Sequence, residues 1–124
     1  MNGLIIGVEP IEQILNGEKC WEMRGKFTHV RGRIALIKKG TKTIVGFADL
    51  IEVLGPLSLA QQRKHHRKHR PTPAEYANGQ NYKETYAWVL TNIKRVAKPI
   101  PYQHPSGAVI WVKLDKIENE DRTK

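Results

Sequence analysis

One cysteine in 124 residues leaves nothing for it to pair with in the chain, so an internal disulfide is excluded and a reducing, cytoplasmic setting is the expectation. No apolar run approaches the roughly 18–20 residues that span a bilayer. The opening MNGLIIGVEP lacks the basic n-region and small-residue cleavage site of a secretory signal. Glycine-rich phosphate loops of the Walker or dinucleotide type are missing, as are CxxC, HExxH and GxSxG. ATP-driven, redox, zinc-protease and serine-hydrolase chemistries therefore have no support. Aromatic residues make up only 7% of the chain, so each of the three tryptophans is worth placing. Acidic residues are also scarce, 12 against 21 Lys and Arg, for a formal net charge of +9. Such a balance favours polyanionic partners, nucleic acid ahead of an anionic membrane.

Much of the positive charge is local. Arg63, Lys64, Arg67, Lys68 and Arg70 fall in one stretch, RKHHRKHR, with no acid among them. Phosphate-backbone contact is one reading, and a solvated helix end is the other. His65 and His69 have the i, i+4 spacing of metal ligands. The surrounding cations oppose a metal, and no acid or cysteine lies nearby, so no metal site is assigned.

The hydrophobic pattern predicts an α+β chain. Leu4 to Val8 reads as a buried strand, and Ile11, Ile14 and Leu15 have helical spacing up to a Gly17 C-cap. Strands follow at 20–24, 33–39 and 43–54, the last long enough to bend at Gly46. Ser58 to Gln61 has the form of a capping box that opens a helix into the basic stretch and ends by Pro71, with one more turn at 73–76. A strand over 86–96 should be broken by Pro99 and Pro101, and a last strand should cover 108–114. One domain over 1–114 is expected, with a basic helical insert at about 57–80 and a polar tail over 115–124. About five to six strands, mostly antiparallel, suit a small barrel or half-barrel, because closure removes exposed edges. Tyr86 and Trp88 share one strand face, and Val109 and Trp111 another; either pair serves as core or as a base-stacking surface.

The densest chemistry lies in LNGEKCWEMRG, residues 15–25. Alternation along a strand sends Trp21 and Met23 to one face, most simply the core, and Glu22 and Arg24 to the other. Lys19 stands at the strand entrance. An ammonium, a carboxylate and a guanidinium fork could thus meet in one cleft, suited to phosphate or carbonyl oxygens. The same spacing fits an edge strand with solvated ion pairs.

ILNGEKCWEMR resembles the signature of the ASCH (activating signal cointegrator homology) domain family. That signature is a helix ending in glycine, then a lysine, an acidic or hydroxyl residue three later, and an arginine. Gly17, Lys19, Glu22 and Arg24 match it. PIPYQHPSGAVIWVKL, residues 99–114, is similar to the family's closing turn and strand. The resemblance implies a PUA-like small mixed β-barrel with short flanking helices and a cleft between barrel and helices. It implies binding of RNA, single-stranded by preference, or of a modified nucleoside.

Two activities follow from the resemblance as expectations. Ribonuclease-like members use the motif lysine and a serine in the closing turn, which correspond to Lys19 and Ser106. The catalytic set is then Lys19, Glu22, Arg24 and Ser106. No cofactor is required, and a divalent metal is compatible. Amidohydrolase members remove the acetyl group of N4-acetylcytidine with a lysine, a threonine three later and a distant glutamate. Here position 22 carries a carboxylate in place of that hydroxyl, and Glu75 matches the distant glutamate by position only. A binding module without catalysis is the third reading. Tyr102 and His104, in the proline-rich segment before Ser106, are expected on the cleft rim as stacking groups beside the basic stretch.

Overall fold

The computed structural model describes residues 1–114; the expected polar tail lies outside the described residues. The elements run β1 (Asn2–Ile6), α1 (Val8–Leu15), β2 (Trp21–Arg24), β3 (Gly32–Lys38), β4 (Thr43–Leu54), α2 (Leu59–Lys64), α3 (His66–His69), α4 (Pro73–Asn78), β5 (Tyr86–Pro101) and β6 (Trp111–Lys113). The strands form one sheet in the order β2-β5-β4-β3-β1-β6. Only β1 and β3 run parallel, because α1 and the β2 region carry the chain between them; the other pairings are antiparallel.

The sheet curls into a half-barrel around Leu4, Ile6, Ile34, Leu36 and Leu50, with Ile11 and Ile14 of α1 closing one side. Each fully buried side chain of this kind contributes about 1.5–3 kcal/mol, so these residues hold the fold. The curl brings the two sheet edges together without backbone pairing between them. Arg24 Nη2 at the end of β2 donates to the Ile5 carbonyl oxygen of β1 at 2.8 Å. Trp88 of β5 stacks on Trp111 of β6, centroids 5.6 Å apart and planes 11° apart. A second cluster, including Ile37, Phe47 and Val112, lies on the other side of the sheet under Tyr102 and Ala108.

Several expectations change in detail. Helix α1 starts at Val8, and Pro10 sits in its first turn, where a missing N–H costs nothing. Gly17 does end it, with φ +80°. The Ser58 capping box has both hydrogen bonds, Gln61 N–H to Ser58 Oγ at 3.1 Å and Ser58 N–H to Gln61 Oε1 at 2.8 Å. The basic stretch divides into α2 and α3 at His65, and a second capping box, Thr72 with Glu75, opens α4.

Pro99 and Pro101 do not break β5, which runs to Pro101. Strand β2 covers β5 only along Tyr86–Val89. The far half of β5 is therefore an edge on that side, where proline's missing donor is tolerated. The last strand shortens to Trp111–Lys113; Ile110 reaches β1 only through its carbonyl oxygen, which accepts from Ile5 N–H at 2.9 Å. Strand β4 slips register at Gly46. A methyl group there would lie 2.5 Å from the Lys94 carbonyl oxygen, so glycine lets β4 and β5 approach at the slip; it would also lie 2.5 Å from Leu15 Cδ2, the end of a flexible side chain of α1.

Trp21 and Met23 are buried, but not in the barrel. Strand β2 pairs Glu22 with Trp88 and Trp21 with Val89. Paired residues share a face, so Glu22 and Arg24 face inward with Trp88. Trp21 and Met23 face outward and form a separate cluster with Ala87, Leu54 and Leu57. The helical insert covers that cluster. Trp21 lies 5.0 Å from the His65 ring and 6.3 Å from the His69 ring, and the Lys68 carbonyl oxygen accepts from Cys20 N–H at 2.9 Å.

Candidate active site

The Gly17 cap turns the chain so that Lys19 enters beside β2, and the inward face of β2 then presents Glu22 and Arg24. The three side chains form one chain of contacts. Lys19 Nζ lies 3.4 Å from Glu22 Oε1, and Arg24 donates from Nε to Glu22 Oε2 at 3.0 Å, with its Nη2 at ion-pair distance from the same oxygen, 2.9 Å. Lys19 is 8% exposed and Glu22 6%. Charges this deep persist only when paired, and here one carboxylate serves two cations. The Arg24 guanidinium also lies 5.5 Å from the centre of the Trp88 ring.

The triad forms one wall of a cavity of about 390 Å³. Helix α1 contributes Glu9, Pro10 and Gln13; the insert contributes His69, Arg70, Thr72 and Glu75; Gln80 and Tyr82 lie beyond. Four cations (Lys19, Arg24, Lys39, Arg70) and three carboxylates (Glu9, Glu22, Glu75) line it. The balance favours an anion, while the carboxylates leave proton acceptors at hand.

The helical insert supplies a residue that the sequence offers only as half of an i, i+4 histidine pair within the basic stretch. His69 is 3% exposed, and its Nε2 lies 2.7 Å from the Gln62 carbonyl oxygen. That oxygen can only accept, so Nε2 carries the hydrogen and Nδ1 carries a lone pair. Nδ1 is buried without a partner. Burial holds this imidazole below the usual histidine range, and Lys19 pushes the same way against the Gln62 hydrogen bond. Its spacing from His65 was visible in the sequence, but the tryptophan beneath both rings was not.

The remaining candidates divide. Arg70 lines the cavity and donates to the Glu18 carbonyl oxygen at 3.0 Å. Arg63 is exposed but lies back along the insert, donating to the carbonyl oxygens of Tyr76 and Ala77 at 2.9 and 2.6 Å, and so latches α2 to α4. Lys68 lies over Trp21, 5.7 Å from the ring centre. Lys64 and Arg67 are exposed. Tyr102 and His104 bond to each other at 2.7 Å and pack over the outer cluster, off the cavity wall. Ser106 is exposed in the same loop and does not line the cavity either. Glu75 lines it, but its Oε1 accepts from Thr72 N–H at 2.9 Å as part of the α4 cap.

Solved structures with this architecture include three from Zymomonas mobilis. The ASCH protein of that organism superposes with a TM-score of 0.65 at 18% identity, covering 98% of this chain and 92% of the other. A serine-to-alanine variant of it gives a TM-score of 0.70 at 18% identity, covering 97% and 92%. A tyrosine-to-phenylalanine variant gives 0.65 at 19%, covering 96% and 94%. No curated protein matches the chain. The profile of the ASCH domain matches residues 4–100, from β1 through most of β5. By that match, over most of its length and across the segment that carries Lys19, Glu22 and Arg24, the chain belongs to the ASCH domain family.

Proposed function

We propose that this protein binds single-stranded RNA in the cleft and cleaves it as a small ribonuclease. The observation that carries the reading is the buried Lys19–Glu22–Arg24 chain on the wall of a cavity with a net excess of cations. Arg24 Nη1, which takes no part in the contacts to Glu22 and Ile5, offers its donors to the non-bridging phosphate oxygens. Each Glu22 oxygen keeps a second lone pair beside the cation it holds, so the carboxylate can take the proton of a ribose 2′-hydroxyl. The resulting oxygen attacks phosphorus, the bond to the 5′-oxygen breaks, and the Lys19 ammonium gives that oxygen its proton. The products are a 2′,3′-cyclic phosphate and a free 5′-hydroxyl. The step balances without a metal; a divalent cation would add charge neutralisation at the phosphate.

A second reading, deacetylation of N4-acetylcytidine, has one observation in its favour, the placement of Glu75 and Lys19 on the same cavity. The carboxylate at position 22, where those enzymes have a hydroxyl, counts against it. The test incubates purified protein with single-stranded RNA and, separately, with N4-acetylcytidine, with and without divalent metal, beside Lys19→Ala. Shortened RNA with cyclic-phosphate ends, blocked by a 2′-deoxy substitution and absent in Lys19→Ala, is the expected result. Intact RNA with released acetate selects the second reading. Bound but intact RNA leaves a binding module, and equal cleavage by Lys19→Ala removes the proposed site.

A further inference from the structure

Beyond Arg24 lies a second cavity, of about 440 Å³, with a different character. Its walls include Phe27, His29, Trp88, Ile110 and Trp111, with two cations, Arg24 and Lys26, and no carboxylate among the described residues. The first cavity is walled by charge, the second by rings, and Arg24 lines both.

The loop that builds the ring-lined side holds its aromatic group toward solvent. Phe27 is 47% exposed, although the loop itself is fixed. Trp88 Nε1 donates to the Lys26 carbonyl oxygen at 2.9 Å, and Arg31 Nη1 donates to the Thr28 carbonyl oxygen at 2.8 Å. His29 meets the Phe27 ring edge-on at 4.9 Å, and the Arg31 guanidinium lies 5.6 Å from its centre. A half-exposed ring on a fixed loop, with cations around it and no acid, suits a flat uncharged group attached to an anion. Core packing explains Trp88, which is 2% exposed, but not Phe27.

We infer that this groove is a stacking subsite for the nucleobase next to the scissile phosphate, so that the substrate is a strand rather than a free nucleoside. The inference rests on the RNA reading above. Arg24 holds the phosphate at the partition, one nucleotide enters the charged cavity, and its neighbour stacks against Phe27. A free nucleoside would leave the groove empty.

The experiment measures affinity for a short 2′-O-methyl oligoribonucleotide, which cannot undergo the cyclising step, and for a nucleoside monophosphate. Phe27→Ala is expected to weaken the oligonucleotide by about 5- to 150-fold, the loss of one base–aromatic stack, and to leave the monophosphate unchanged. Phe27→Trp should restore the oligonucleotide affinity. Equal loss on both ligands, or no loss on the oligonucleotide, overturns the subsite. A wild-type protein that binds neither ligand and leaves RNA intact overturns the RNA reading itself. Oligonucleotide binding and cleavage that ignore Phe27 overturn only the subsite.

Discussion

Two regions of this molecule are almost equally buried and opposite in kind. The barrel interior around Leu36 and Ile34 is wholly apolar, with both residues at 0% exposure. The seam beside it, where β2 curls toward β1, buries Lys19 and Glu22 nearly as deeply. Apolar burial is favourable anywhere it fits, whereas a buried charge is tolerated only while its partners stay in place. The interior therefore accepts local change at a graded cost, and the seam responds as a unit. Depth of burial alone does not tell the two regions apart; the chemistry of what is buried does.

The comparison is broken most directly at the shared carboxylate. Glu22→Ala leaves two cations facing each other at the seam, and a loss of about 3–5 kcal/mol in urea unfolding is expected. Adding Lys19→Met should return part of that stability without restoring RNA cleavage. A Glu22→Ala protein as stable as wild type would mean that the seam is not held by this chain of charges. Leu36→Ala tests the other side. It should cost about 2–5 kcal/mol, while cleavage per folded molecule stays at the wild-type level. Lost activity in a fully folded Leu36→Ala sample would erase the distinction between the regions.

A smaller effect is expected at the insert's exposed cations. Replacing Lys64 and Arg67 with Gln should flatten the salt dependence of RNA affinity by about 0.7 in logarithmic slope for each phosphate that the variant no longer neutralises. Arg63→Gln should instead lower thermal stability, because it releases the α2–α4 latch. An unchanged slope in the double variant would place the bound strand away from the insert. The smallest effect is on pH. Both states hold His69 neutral above its ordinary value of about 6.5; below it the unfolded chain takes up a proton before the folded one does. Stability should therefore fall on acidification from near pH 6.5 down to the lower folded value, and then level. His69→Gln should shallow that acid limb in melting curves at several pH values; an unaltered limb would show that another group causes it.

The sequence was most legible where a local rule decides the outcome. Gly17 and Ser58 punctuate helices by backbone geometry and capping, and both do so here. The match of Lys19, Glu22 and Arg24 to a short signature led to the same three residues that the fold draws together. Alternation correctly separated Trp21 from Glu22, but it cannot say which face is inside. The usual assumption that apolar faces inward fails because the insert, from far along the chain, lays Leu57, the His65 and His69 rings and the Lys68 side chain over that face. The same distant packing hid His69, whose burial depends on Trp21 and Gln62. Arg63 resembles free charge in the sequence because its acceptors are backbone carbonyl oxygens, which carry no sequence signal. Pro99 and Pro101 look like strand breakers for a related reason, since their tolerance depends on how far β2 extends along β5.

Gly46 does not line the first cavity, yet it lies against the helix that does. Helix α1 meets the sheet at Leu15, beside a position 46 that has no side chain. The same short helix carries Glu9, Pro10 and Gln13 to the cavity on its other side. A side chain at position 46 that displaced the helix would move those three residues with it. Gly46→Ala is accordingly expected to alter KM for RNA more than kcat. The dimension of the site is gauged from behind, at a residue that no survey of its lining would include.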